Sequence, residues 1–159
     1  VASEFPFRRV VGVEINEELA TTARRNAALI GRQFPERPSI EVIHADASTY
    51  ALPPEPFVLF LYQPFEVPVM RKALERVEKS LADAPRPAFV IYLHPALGRV
   101  FDRSKALERV AEGRLPLAPE EVPYSYGGRG GYEQYAIWRT TSPRPTVRAI
   151  LDETPPSSP

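Results

Sequence analysis

The run RVVGVEI, Arg9 to Ile15, is β-branched, apolar on both faces and too short for a helix, and it leads straight into a helical pattern. A strand of that kind calls for helices on both sides of its sheet. Asn16 makes a good N-cap, Glu17 and Glu18 fall in the first turn where the helix dipole favours acids, and Leu19, Ala23, Ala27 and Ile30 recur at helical spacing. A helix is therefore expected from Asn16 to about Gly31. The alternation continues along the chain. Ile40 to Ala45 follows the Pro35 to Pro38 break as a second strand, and Phe57 to Tyr62 is a third, wholly apolar until its end. Pro68 sits near the start of the next helix, whose stripe is Met70, Ala73, Leu74, Val77 and Leu81, and Ala88 to Leu93 supplies a fourth strand. Ala96 to Glu112 reads as broken helix. After it, EEVPYSY (Glu120 to Tyr126) and YEQYAIWR (Tyr132 to Arg139) alternate polar with apolar and read as a hairpin pair joined by GGRGG.

Buried strands alternating with amphipathic helices predict an α/β fold, a Rossmann-like, doubly wound and mostly parallel sheet with an antiparallel strand pair at its C-terminal end. The 159 residues, 43% hydrophobic and 25% charged, fit one such domain over residues 1–139. Residues 140–159 are rich in Pro, Ser and Thr, and roughly the last fifteen to twenty residues are expected to be poorly ordered. Twenty basic and twenty acidic residues cancel, so no long-range field advertises nucleic acid or an anionic membrane. The absence of cysteine excludes disulfides, thiolate metal sites and a cysteine nucleophile. No apolar run reaches about 18 residues and no signal-peptide pattern opens the chain, which reads as soluble, cytoplasmic and without a membrane association.

In open α/β sheets ligands bind at the carboxyl ends of the strands. Three strands here end in polar or unusual groups: Glu14 after RVVGV, Asp46 after IEVIHA, and Tyr62 to Phe65 (YQPF) after FVLFL. All three are expected on one rim. Each has an ordinary alternative use: a carboxylate after a strand often caps the next helix, although Asn16 already does so beside Glu14, and Asp46 equally suits a short turn through Ser48 and Thr49. His44 reads as a strand residue, and His44 and His94 are too far apart in sequence to suggest a metal site or a triad. GGRGG does not precede a helix, so it reads as a hairpin loop before a phosphate cradle. LERVEKS and SKALERVAEG read as solvated helix faces.

The segments FPFRRVVGVEINEEL, IEVIHADAS, FVLFLYQPF and YEQYAIWR resemble the class I S-adenosylmethionine-dependent methyltransferases, over about Val1 to Arg139. The resemblance implies that Glu14 accepts both ribose hydroxyls of the cofactor, which suits an acceptor-only carboxylate and a vicinal diol. It further implies that Ile15 packs on the adenine, that Asp46 binds the adenine amino group with the Ala47 backbone beside it, and that Tyr62 lies against the cofactor. Gln63, Pro64 and Phe65 would then position the methyl acceptor. Amino-group methyltransferases often carry Asn or Asp, two prolines and an aromatic there, whereas Gln63 is a methylene longer and only one proline is present. No metal is implied, because the sulfonium is already a strong electrophile and positioning supplies much of the acceleration.

The family's first strand and glycine-rich cofactor loop precede the segment that opens this chain. In dinucleotide-type folds that loop lies about 20 residues before the ribose acid, and counting back from Glu14 runs off the chain. The expectation is a fragment whose VASEFPF is the end of the first helix, with the missing strand belonging between those that end at Glu14 and Tyr62. An unfilled place there would set its neighbours nearly 10 Å apart, and the 159 residues alone would bind cofactor weakly or not at all. The function so implied is methyl transfer to an unidentified acceptor, a small molecule or protein before nucleic acid. A nicotinamide-dependent oxidoreductase would also place an acid after its second strand, but would continue parallel strands where YEQYAIWR suggests an antiparallel one. A noncatalytic scaffold is the third alternative. Arg129, Tyr124, Tyr126 and Tyr132 either line an acceptor pocket or decorate a hairpin.

Overall fold

A computed structural model describes residues 2–62, 65–124 and 131–141. After a 3-10 turn at Ala2–Glu4, strand β1 (Val10–Glu14) leads into helix α1 (Glu17–Gln33), and β2 (Ile40–His44) follows. Then come β3 (Phe57–Tyr62), α2 (Val67–Asp83), β4 (Ala88–Leu93), the one-turn α3 (Gly98–Phe101), β5 (Leu107–Pro116) and β6 (Tyr132–Thr140). The six elements from β1 to β4 fall where the sequence periodicity places them, with α1 running on past Gly31 to a cap at Phe34, whose N–H reaches Ile30 O.

The pairing is α/β with parallel strands and an antiparallel end. β1 and β2 pair in parallel, with Glu14 opposite His44, as a two-stranded sheet. The second sheet has the order β3-β4-β6-β5, with β3 and β4 parallel and β6 antiparallel to both of its neighbours. β1 and β3 are not hydrogen-bonded to each other, so the sheet is split where the sequence predicts an unfilled strand position.

Two expectations are overturned. Ala96 to Glu112, read as broken helix, contains only the four-residue α3, and the supposed solvated helix face SKALERVAEG is mostly β5. Charges spaced like a helix face are equally at home on an edge strand, where Glu108, Arg109 and Glu112 are exposed and a bulge lies between Arg109 and Ala111. β5, not Glu120–Tyr126, is therefore the hairpin partner of β6, paired from Leu107 opposite Thr140 to Pro116 opposite Tyr132. In the segment expected to pair, Val122–Tyr124 is a 3-10 turn, which Pro123 suits because it has no N–H to give to a ladder. Of GGRGG, only Gly131 is described; its φ of 67° is the left-handed backbone that glycine accepts, and its carbonyl takes the Leu117 N–H. The other four glycine-loop residues, with Ser125, Tyr126 and the tail from Ser142, lie outside the described residues.

The core sits on one face of the larger sheet. Met70, Leu74, Val77 and Leu81 of α2 bury against Leu61, Val90, Tyr92, Ala136 and Trp138, with Phe101 and Leu107 closing the end. The expected cover on the second face is not found among the described residues: Val58, Phe60 and Phe89 alternate with the core positions of β3 and β4 and are exposed, Phe60 at 58%. On the smaller sheet α1 packs mainly on β2 and buries only Ala20.

An ion network closes the α3 end. Asp102 takes hydrogen bonds from the Trp138 indole at 2.9 Å and from Arg109 Nε and Nη2 at 2.9 and 2.6 Å, and Arg109 also meets Glu112. Partial burial works to raise the Asp102 carboxyl, but the hydrogen bonds from Arg109 and Trp138 prevail and hold it below its ordinary value of 3.8. A folded-state value below the unfolded one stabilises above the unfolded pKa and is lost as pH falls through the folded one. Asp102→Asn is accordingly expected to make stability fall less steeply on acidification below about pH 5, which denaturant titration across a pH series checks.

Candidate functional site at the strand carboxyl ends

The β1–β2 register brings the first corner of the rim together. Glu14 O accepts the Ala45 N–H at 3.0 Å, and His44 Nε2 lies 3.0 Å from Ile15 O, so the chain leaves both strands side by side. Asn16 caps α1 as expected, with Oδ1 accepting from the N–H groups of Glu18 and Leu19 at 2.9 and 3.1 Å. Glu14 Oε1 accepts the Asn16 N–H at 2.7 Å, which aims a half-buried carboxylate along the rim. Beside it Ile15 is 69% exposed.

Asp46 stands next to this pair, just past the end of β2. It does cap the turn that Ser48 and Thr49 suggested: Oδ1 accepts the Ser48 N–H at 2.8 Å and its backbone oxygen accepts from Thr49. Hydrogen bonds from Ser48, side chain first and backbone second, hold the exposed Asp46 carboxyl below its ordinary value and keep it an acceptor. Ala47, half-buried, follows it in that turn.

The second corner lies at the ends of β3 and β4. Tyr62, the last residue of β3, donates its hydroxyl to Glu133 Oε1 at 3.0 Å. His94, directly after β4, sets Nδ1 at 3.9 Å from Glu133 Oε2, with side-chain exposures of 31% for His94 and 7% for Glu133. β6 runs antiparallel, so its early residue Glu133 arrives at the rim where the parallel strands finish. His94 also has a φ of 51°, left-handed backbone that costs a non-glycine residue on the order of 1–3 kcal/mol and survives only where neighbours enforce it. The His94 N–H bond to Gln134 O at 2.7 Å and the Ala96 N–H bond to His94 O at 2.7 Å do so here.

Phe65 is half-buried and packs against the hydrophobic core, while Gln63 and Pro64 lie outside the described residues. Glu14, Ile15, Asp46 and Ala47 thus gather at the carboxyl ends of β1 and β2, and Tyr62 stands at the carboxyl end of β3 in the other sheet. The sequence sets His94 aside together with His44 and gives no reason to single out Glu133. His94 carries the same signal that singled out Glu14, a polar residue directly after an apolar strand; Glu133 carried none, since its partners are 71 residues away in Tyr62 and across the sheet in His94. Among the described residues no cluster of potential metal ligands occurs and no helix is long and apolar enough to cross a membrane.

No protein-family model matches the sequence, and no curated protein matches it significantly. Solved structures do match. The candidate methyltransferase yhhF from Escherichia coli superposes with a TM-score of 0.54 at 10% identity, over 86% of this chain and 66% of its own. The N-methyltransferase NodS from Bradyrhizobium japonicum WM9, solved with S-adenosylhomocysteine, gives a TM-score of 0.50 at 12% identity over 84% and 67%. The fold is that of the class I methyltransferases. This chain spans just under two thirds of the length of the Escherichia coli protein, and a likeness at such identities speaks for the fold alone.

Proposed function

We propose that this chain is part of an S-adenosylmethionine-dependent methyltransferase and supplies the ribose and adenine half of the cofactor site. The observation that carries the reading is the first corner: ionisable carboxylates at the ends of two adjacent parallel strands, with an exposed aliphatic side chain between them. The donor set fits the cofactor. Glu14 offers only acceptors and suits a vicinal diol, Ile15 offers a face to a purine, and Asp46 with the Ala47 backbone suits an exocyclic amino group. When bound, the cofactor supplies an electrophilic methyl group on a sulfonium. The protein's part is to fix its orientation and to hold the acceptor in line beside Tyr62, with Gln63, Pro64 and Phe65 as the stretch that positions that acceptor.

Among the described residues no strand pairs with β1 on its side away from β2 or with β3 on its side away from β4, so a further strand and turn pairing with both edges would supply the part that holds the methionine end. The 159 residues by themselves are therefore expected to bind S-adenosylhomocysteine weakly or not at all, whereas a form in which a further strand fills the split binds it. In that form Glu14→Ala is expected to weaken binding about 100-fold, because two charge-assisted hydrogen bonds are lost together. Calorimetric titration, with circular dichroism to show the fold retained, decides it: binding unchanged in Glu14→Ala ends this reading. The acceptor is more in keeping with a small molecule or protein than with nucleic acid, since the net charge is zero.

A further inference from the structure

We propose that His44 is a positioning residue of the cofactor site: its imidazole holds the peptide that follows Ile15, and so fixes the face offered to a purine and the carboxylate offered to a ribose before any ligand arrives. The proposal rests on the methyl-transfer reading for the identity of the ligand, but the hold itself needs none.

Three observations carry it. The backbone ladder between β1 and β2 ends with the Ala45 N–H bond to Glu14 O at 3.0 Å, one residue short of Ile15. His44 Nε2 then lies 3.0 Å from Ile15 O, so a side chain carries the pairing one rung past the strands. The N–H of the same peptide unit, that of Asn16, is taken by Glu14 Oε1 at 2.7 Å. One peptide plane is therefore gripped at both ends, its carbonyl by His44 and its N–H by Glu14, and these two residues stand directly opposite each other in the β1–β2 register. The Ile15 side chain, 69% exposed, gains little fixing from packing, which leaves this clasp and the Asn16 cap of α1 to set its direction.

The chemistry of the clasp is one-sided. A carbonyl oxygen only accepts, so the hydrogen bond to Ile15 O requires the proton on Nε2, and the neutral ring keeps its lone pair on Nδ1. A plane held at both ends cannot turn without breaking a hydrogen bond. Ile15 and the Glu14 carboxylate thus reach a ligand already ordered, and binding does not have to supply that order. His44 acts through Ile15 and Glu14 and is given no contact with the ligand.

Nuclear magnetic resonance of the 159-residue chain tests this in three readings. Above the ordinary imidazole pKa range, long-range proton–nitrogen spectra are expected to show His44 protonated on Nε2. A ring protonated on Nδ1 overturns the proposal, since Ile15 O has no proton to give. In His44→Ala, exchange of the Asn16 amide is expected to speed by about tenfold or more, while that of Val10, which donates to Ser39 O at the far end of β1, stays as it was. Adenosine is the ligand probe, because it carries the purine and the ribose without the methionine part. Followed at Glu14, Ile15 and Asp46, it is expected to bind the unaltered chain weakly and His44→Ala about tenfold more weakly, the factor for ordering one residue's backbone anew. His44→Gln, whose side-chain amide donates from a similar reach, is expected to restore both the slow exchange and the affinity, a rescue that lost packing would not show. An Asn16 amide that exchanges no faster in His44→Ala, equal adenosine binding by the chain and by that variant, or no rescue by His44→Gln overturns the proposal. Adenosine that moves none of these resonances in the unaltered chain, with Nε2 protonated and the Asn16 amide slow, overturns the methyl-transfer reading and the positioning role that rests on it.

Discussion

Arg86→Ala is expected to lower the unfolding free energy by about 3–5 kcal/mol, because several acceptors lose one charged donor together and each buried polar group left unsatisfied costs about 1–3 kcal/mol. Arg86 is 6% exposed, two residues before β4. Its guanidinium donates to Ser80 O at 2.8 Å and Ala84 O at 2.7 Å at the end of α2, and to Ser80 Oγ at 2.7 Å. It also reaches Pro53 O at 2.5 Å and Glu55 O at 3.1 Å in the segment before β3, and lies 5.0 Å from the centre of the Phe57 ring. One planar fork therefore ties the end of α2 to the approach of β3, across the side of the sheet that bears the whole core. Alanine would leave four carbonyls that the folded chain has arranged around a cation with their donor gone. Lysine keeps the charge but cannot reach three directions at once, so Arg86→Lys should recover less than half of the loss. Guanidinium denaturation followed by far-ultraviolet circular dichroism checks both, and a loss under about 1 kcal/mol for Arg86→Ala would show that water replaces the fork without cost.

A loss of similar size, about 3–5 kcal/mol, is expected for Trp138→Ala. Trp138 is fully buried, its ring centre 5.2 Å from that of Phe101, and a Cβ built on Gly98 would stand 3.3 Å from the indole edge. The site is packed from below by a residue that has no side chain to move into the space. The indole also donates to Asp102 Oδ1, and Arg109 covers the ring with its guanidinium 4.8 Å from the ring centre. Truncation thus leaves a cavity and removes one donor from an ion network at the same time. Trp138→Phe separates the two, since it keeps most of the volume, and should cost about 1–2 kcal/mol. Trp138 is the only tryptophan, so far-ultraviolet dichroism rather than fluorescence has to report the unfolding of both variants.

The elements that local pattern placed well are those whose signal is contained within about twenty residues. α1 declared itself by Asn16, two acids and a four-residue apolar rhythm, and the structure gives Asn16 the two capping bonds that its side chain suggests. β3 and β4 were legible as short apolar runs, and Glu14 and Asp46 as carboxylates left over where such runs end. β5 was misread because a charged edge strand and a solvated helix face have the same composition. What distinguishes them is the partner, and β6 begins sixteen residues beyond the end of β5.

The sequence by itself determined the parallel α/β character of the chain, the strand ends that carry Glu14, Asp46 and Tyr62, and the helices between them, because apolar period and capping act over one or two turns of chain. Tertiary structure alone decided that β5 is a strand and the hairpin partner of β6, that β6 lies between β4 and β5, and that Tyr62, His94 and Glu133 meet. Those outcomes depend on hydrogen-bond ladders and buried charges whose partners lie tens of residues apart. No local pattern carries the identity of such a partner; it is set when the core on α2 fixes which strand lies beside which.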